Sequence, residues 1–186
     1  MSLSEIPYID LKEHTRRLQP ELNEAIDQVF RSGAFAGGQF VRAFEEAFSH
    51  YLGCSRFAGV SSGSDALVLA LLALGIGPGD EVLVPANTFI ATAFAVVRVG
   101  AAPVFADCDP LTWQIDPQSA SDRMTAKTRA IIGVHLYGQA FPVEEMADIA
   151  RAHHAFLIED CAQSQGTVYR GHRVGALSDA GCFSFY

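Results

Sequence analysis

The sequence predicts an α/β fold: a mainly parallel sheet of about seven strands with helices on both faces. Three observations predict it. Short runs such as "EVLVP" (81–85), "RAIIGVHL" (129–136) and "AFLIED" (155–160) are apolar along their whole length, as strands covered on both faces are. These runs alternate with apolar or amphipathic segments of helical length, two of them stopped by Gly75 and Gly100. The chain's 186 residues, 49 % hydrophobic and 18 % charged, are enough to close a substantial core.

Taken in order, residues 1–14 read as irregular, with Pro7 breaking any early helix. From Pro20, Leu22, Ile26, Val29 and Phe30 recur at helical spacing until Ser32-Gly33. "AGG" (36–38) is a loop, and Phe40, Val41, Phe44, Phe48 and Tyr51 mark a second amphipathic helix closed by Gly53. The rhythm then changes. "RFAGV" (56–60) reads as a strand, "SDALVLALLAL" (64–74) as a helix, "EVLVP" as a strand and "TFIATAFAVVRV" (88–99) as a helix. "PVFAD" (103–107) and "RAIIGVHL" read as strands, "VEEMADIARAHH" (143–154) as a helix, and "AFLIED" and "AGCFSFY" (180–186) as strands. Residues 1–55 are expected as a helical segment packing on an α/β unit at 56–186.

The formal net charge of −8, with Lys12 and Lys127 the only lysines, argues against nucleic acid or an anionic membrane as partner. Cys54, Cys108, Cys161 and Cys182 form no C-x-x-C pair, so zinc and thioredoxin-type chemistry find no support, and scattered thiols fit a cytoplasmic location. Residues 1–20 contain no signal-peptide core, and the longest apolar stretch, Ala66–Leu74, is too short to span a bilayer.

In open α/β sheets, ligands gather at the carboxyl ends of the strands. In "GVSSGSDAL" (59–67) a strand runs through Gly63, Ser64 and Asp65 into a helix, whose unpaired N–H groups suit a phosphate; an ordinary helix cap by Ser62 or Ser64 is the plainer reading. In "LIEDCAQSQG" (157–166) an apolar strand delivers Glu159 and Asp160, one of which should face the ligand; a carboxylate fixed in a dry site can hold a ring nitrogen protonated, while a solvated strand end is the plainer reading. In "PANTFIATA" (85–93), Phe89 opens a helix where it can stack on a flat ring or simply join the core. "VHLYGQA" (134–140) fits a site-lining loop and a plain connector equally. Adjacent His153 and His154 cannot share a metal, and Asp107-Cys108-Asp109 before Pro110 reads as a turn more than a cation site, so no metal is expected. "GIGPGD" (75–80) follows a helix instead of a strand, the wrong order for dinucleotide binding.

Five of these stretches, "SGSDAL", "GIGPGDEVLVPANTFIATA", "VHLYGQ", "IEDCAQSQG" and "FSFY", together resemble the DegT/DnrJ/EryC1 sugar aminotransferases, from about Pro7 to Tyr186. The resemblance implies a pyridoxal 5′-phosphate (PLP) enzyme of fold type I, with 56–186 as its PLP-binding large domain. It implies that Gly63, Ser64 and Asp65 hold the cofactor phosphate with Ser184, that Phe89 stacks on the pyridine ring, that Asp160 pairs with its nitrogen and that Gln163 lies beside its 3-hydroxyl. It further implies a Schiff-base lysine about three residues beyond Tyr186, a smaller C-terminal domain not included in this sequence, and a homodimer with shared active sites. The chain is accordingly expected to be the first half of a longer protein. The implied reaction moves an amino group from an amino acid, glutamate or glutamine, to the keto carbon of a nucleotide-linked deoxysugar, at C3 in preference to C4. Two other functions stay open: a sugar dehydratase with histidine in place of the lysine, and a non-catalytic regulatory or sugar-nucleotide-binding module.

Overall fold

The structure is a computed structural model that describes residues 8–186. The Pro7 break and the first two residues of "IPYIDLK" lie outside the described residues. Internal contacts divide the chain into two units, the first ending at Ala47 and the second running Phe48–Tyr186; the sequence reading placed its division at 55/56.

In the first unit, helix α1 (Leu11–Ser32) begins nine residues before the expected start at Pro20. Asp10 caps it by accepting the Glu13 N–H at 3.0 Å, and Glu13 pairs with Arg16 and Arg17 at 2.8 Å each. Those local bonds favour the first turns, and the helix continues through Pro20, where the sequence reading began it. Lys12 is therefore helical, not irregular. Gly33, at φ 68°, ends α1 in the left-handed region. Helix α2 (Gly38–Leu52) crosses into the second unit.

The second unit contains α3 (Gly63–Ala73), β1 (Glu81–Pro85), α4 (Ile90–Arg98), β2 (Ala102–Ala106), α5 (Pro117–Arg123), β3 (Thr128–Val134), α6 (Val143–Ala152), β4 (Phe156–Asp160), β5 (Val168–Tyr169), β6 (His172–Arg173) and β7 (Ala180–Cys182). The main sheet has five strands in the order β2-β1-β3-β4-β7, all parallel. The fold class is as expected, with five strands in place of about seven. Residues 56–60 form no assigned strand, and "AGCFSFY" shortens to Ala180–Cys182. Their aromatic residues are spent on a side-chain cluster: Phe48 meets Phe57, Phe183 and Phe185 edge to face, with ring centroids 4.7, 5.2 and 5.3 Å apart. Two elements have no counterpart in the sequence reading. Helix α5 lacks an apolar repeat and is held by its cap, Asp116 accepting the N–H groups of Gln118 and Ser119. The antiparallel β5–β6 ribbon turns at Arg170-Gly171, both at positive φ.

The two faces of the sheet bury different sets. Val82, Val84, Ile132 and Ile158 pack with Leu67, Leu71 and Val96 of α3 and α4. Leu83, Ile131 and Leu157 pack with Ala120, Phe141 and Met146 on the α5 and α6 side. Alternation then sends the last two residues of β4 to opposite faces. Glu159 is fully buried, and its two oxygens accept four hydrogen bonds: from His135 Nε2 at 2.9 Å, Gly175 N at 2.7 Å, Leu177 N at 2.8 Å and Ser178 Oγ at 3.0 Å. His135 Nδ1 accepts the Phe141 N–H at 3.3 Å, which leaves Nε2 as the protonated nitrogen that donates to Glu159. The Phe141 ring stacks on His135 and lies where a side chain on Gly133 would stand. Burial alone would push the Glu159 carboxyl up, but His135 and the amides of Gly175 and Leu177 together hold it below its ordinary value.

One further close approach shapes the carboxyl end. A Cβ on Gly63 would stand 2.6 Å from Ser184 Cβ, so only glycine lets the start of α3 lie against the segment that follows β7.

Two predictions follow from this packing. Glu159→Gln turns an amide NH2 against two donors and should destabilise the protein by about 3–5 kcal/mol, read from urea unfolding. Because the folded-state carboxyl is lowered, its stabilisation is complete above the ordinary value of 4.5 and is lost as pH falls through the lower folded value. The gap between wild type and variant should therefore be constant from neutrality down to about pH 4.5 and narrow below it. Gly63→Ala should cost about 1–3 kcal/mol by the same measurement, since the methyl group must displace Ser184.

Candidate active site

A cavity of about 280 Å3 opens at the carboxyl end of the sheet. Val134 ends β3 and Asp160 ends β4; the starts of α3 and α4 bring Ser62, Gly63, Ser64, Thr88, Phe89 and Ala91. Ala162, Gln163 and Ser184 close the ring. Six of the seven residues singled out from the sequence, Gly63, Ser64, Phe89, Asp160, Gln163 and Ser184, thus line one cavity. The seventh, Asp65, does not.

Asp160 lies on the α3 and α4 side because Glu159 occupies the other. It is 6 % exposed. Its Oδ2 accepts the Thr92 hydroxyl at 2.9 Å and its Oδ1 accepts the Ala162 N–H at 3.1 Å. Burial pushes its carboxyl up, and these two bonds offset that only in part. Thr92 is itself buried and shares a 2.9 Å bond with Thr88 Oγ1. A carboxylate raised by desolvation, with acceptor capacity to spare, is chemically suited to a cationic N–H donor.

At the start of α3, Ser62 caps the helix by accepting the Asp65 N–H at 3.1 Å. The Asp65 carboxylate turns away, accepting the Ser61 hydroxyl and pairing with Arg98 at 2.7 Å. The Ser61 hydroxyl and the Arg98 guanidinium hold it below its ordinary value. The helix therefore presents to the cavity the first-turn backbone of Gly63 and Ser64 and the Ser64 side chain, the usual setting for an anion.

Gln163 Oε1 accepts the Tyr137 N–H at 2.8 Å. With its oxygen so committed, the side chain offers its NH2 group as a donor. The Ser184 carbonyl accepts from Gln165 Nε2, and its Oγ accepts the Tyr186 N–H at 3.3 Å. Phe89 stands at the start of α4, 71 % exposed, with its ring at the cavity. The donor set fits a phosphorylated pyridine of the PLP type: an anion site at one end, a buried carboxylate for a ring nitrogen, an amide donor for a ring oxygen and an aromatic ring for the face.

Sequence reasoning missed Thr92 and the part Thr88 plays beside it. Of the two serines it offered as the cap of α3, Ser62 and Ser64, the structure gives the cap to Ser62. Thr92 carried no signal, since its role depends on a bond spanning 68 residues. Among the described residues one group, His135, Glu159 and Cys161, brings metal-ligating atoms within 4.8 Å of one another. All three are buried, the Glu159 oxygens already accept four hydrogen bonds, and burial pushes the Cys161 thiol well up, so the group reads as structural. Asp109 spends its carboxylate on the Thr112 and Leu111 amides of its own turn. Lys127 lies at the amino end of β3, the opposite end of the strand from the cavity.

The family model for the DegT/DnrJ/EryC1/StrS aminotransferase family matches residues 16–186. The chain is 45 % identical over 181 residues to a "pleiotropic regulatory protein" of Geobacillus stearothermophilus, covering 97 % of this chain and 49 % of that one. It is 44 % identical over 180 residues to a dTDP-3-amino-3,6-dideoxy-alpha-D-galactopyranose transaminase of Aneurinibacillus thermoaerophilus, covering 97 % of this chain and 50 % of the relative. S. venezuelae DesV, solved in complex with a ketimine intermediate, superposes with a TM-score of 0.95 at 41 % identity, over 99 % of this chain and 50 % of DesV. The chain thus spans about half the length of the curated relatives it matches. A family match over nearly the whole described chain, joined to a cavity whose lining suits a phosphorylated pyridine, places the protein in the DegT/DnrJ/EryC1/StrS aminotransferase family of PLP-dependent enzymes.

Proposed function

We propose that the protein transfers an amino group from an amino acid, glutamate in preference, to the C3 keto carbon of a nucleotide-linked deoxysugar, as a cytoplasmic homodimer with shared active sites. The observation that carries the proposal is the convergence of Gly63, Ser64, Phe89, Asp160, Gln163 and Ser184 on one cavity. The A. thermoaerophilus relative, a dTDP-3-amino-3,6-dideoxy-alpha-D-galactopyranose transaminase, supports the C3 assignment. The 1–55 segment and a 56–186 large domain belong to the same proposal, as does a lysine about three residues past Tyr186. Among the described residues no helix is long and apolar enough to cross a membrane.

Bound in the cavity, PLP supplies a sink for the electrons released when the amino donor loses its α-proton. The first-turn N–H groups of α3, with the hydroxyls of Ser64 and Ser184, take the phosphate. Asp65 serves this end indirectly: its ties to Ser61 and Arg98 hold the turn in place and keep a negative charge away from the phosphate. Asp160 would hold a proton on the ring nitrogen, a positive partner that favours the ionised carboxylate. Thr92 and the Ala162 amide fix the Asp160 carboxylate. Gln163 would donate to the ring oxygen, and Phe89 would pack against the ring.

A regulatory role is the second reading, favoured by the name of the G. stearothermophilus relative. One experiment separates the two. The protein, expressed from its natural reading frame and loaded with PLP, is given 15N-glutamate and a dTDP-linked 3-keto-6-deoxysugar. The proposal expects 15N in the sugar and release of 2-oxoglutarate. PLP binding with no transfer to any nucleotide-linked keto sugar would support the regulatory reading.

Asp160→Asn gives a paired prediction. Losing the charge at the ring nitrogen should lower kcat/KM for amino transfer by about 100-fold or more. The folded-state carboxyl is raised, so its ionisation weakens the fold as pH rises from the ordinary value of 3.8 toward the folded one. Removing that ionisation should raise the melting temperature of the cofactor-free protein at pH 7, a gain that calorimetry would read.

A further inference from the structure

Two large aromatic residues in loops at the carboxyl end of the sheet are exposed on backbone that glycine would adopt more easily. Trp113, in the loop after β2, is 61 % exposed at φ 61°. Tyr137, in the 3-10 turn after β3, is 79 % exposed at φ 58°. Left-handed backbone is disfavoured for aromatic residues, and exposing their rings to water adds to the cost. Neither loop is slack. The Trp113 loop is closed by the Cys108–Ile115 bridge, by Asp109 N to Gln114 O at 2.9 Å and by Trp113 N to Asp109 O at 2.8 Å. The Tyr137 turn is held by Gly138 N to His135 O at 3.3 Å and by Thr167 Oγ1 to Gly138 O at 2.7 Å.

Three carboxamides then lace the loops at the carboxyl end of the sheet into one rim. Asn87, after β1, donates to Trp113 O at 2.8 Å. Gln114, after β2, donates to Leu136 O at 3.3 Å. Gln163, after β4, accepts from Tyr137 N at 2.8 Å. The backbone of each aromatic residue is thereby tied to a segment of the cavity wall. Asn87 precedes Thr88 and Phe89, which line the cavity; Tyr137 follows Leu136, which also lines it.

We propose that Trp113 and Tyr137 form an aromatic rim that stacks the base of a nucleoside diphosphate, holding the nucleotide end of the substrate outside the cavity. The inference rests on the aminotransferase reading above. Its physical argument is one of space and of preorganisation. A cavity of about 280 Å3 is at the small end for enclosing even a single drug-sized ligand. With a phosphorylated pyridine inside, a nucleotide must lie across the mouth. Rings carried on braced backbone lose less freedom on stacking than rings on slack loops, and indole and phenol faces suit any flat heterocycle.

Trp113 is the only tryptophan of residues 1–186, and subtracting the Trp113→Phe spectrum from that of the wild type isolates its emission. The PLP-loaded protein is titrated with dTDP and, separately, with inorganic pyrophosphate, by tryptophan emission and by calorimetry. The proposal expects saturable quenching of Trp113 emission by dTDP. It expects dTDP to bind about tenfold or more weakly in Trp113→Ala and in Tyr137→Ala. Trp113→Phe should stay within about threefold of wild type, because a ring is kept. Pyrophosphate and PLP should bind every variant as they bind wild type. Unchanged dTDP affinity in both alanine variants, or an equal loss for pyrophosphate, would overturn the rim. Amino transfer with unaltered dTDP affinity would sink the rim alone, whereas weakened dTDP binding without amino transfer would sink the transaminase reading and leave the rim standing.

Discussion

Everything at the carboxyl end of the sheet depends on one buried anion. The Glu159 carboxylate collects donors from the segment after β3 and from residues 175, 177 and 178, regions far apart in sequence. An ionised acid in a dry interior is tolerated only when its lone pairs are filled, and here four donors fill them. The same bonds fix the path that leads into β7 and the angle at which the chain leaves β3. Because successive strand residues point to opposite faces, anchoring Glu159 beneath the sheet commits Asp160 to the cavity. A structural carboxylate and a ligand-facing carboxylate sit side by side in sequence and differ only in which face each meets.

That difference bears on how much was legible beforehand. Fully apolar runs located β1, β3 and β4 to within a residue or two, since a strand covered on both faces leaves little choice of residue type. "IED" announced that one acid would face the ligand, but not which, because register is a property of the sheet. Residues 56–60 have the composition of a strand yet Phe57 joins an aromatic cluster with Phe48 and Phe183, a tertiary preference that no local pattern encodes. Helix α1 was under-read for another reason: its first turns carry no apolar repeat and rest instead on the Asp10 cap and the Glu13 ion pairs.

The site residues show the same division. Gly63, Ser64, Asp160 and Ser184 were visible as motif positions, and the structure supplies reasons that motif spacing does not contain. Gly63 is small because Ser184 leaves it no room. Asp65, adjacent to the ligand-facing turn in sequence, supports that turn through Ser61 and Arg98 instead of facing the cavity. Thr92 was invisible because a threonine inside an apolar helix looks like any other small residue until its bond to Asp160 is seen. Residues that hold other residues leave the faintest trace in a single sequence.

The burial of Asp160 has a consequence for the life of the protein in a cell. A fold that carries a desolvated acid is less stable than it could be, and a ligand that brings a cation to it adds stability through the native state alone. Proteases and chaperones act on the fraction that opens, so even one or two kcal/mol alters abundance several-fold. The residue that would tune the cofactor's reactivity would then also make the protein's own survival a measure of cofactor supply, with idle copies cleared sooner than loaded ones.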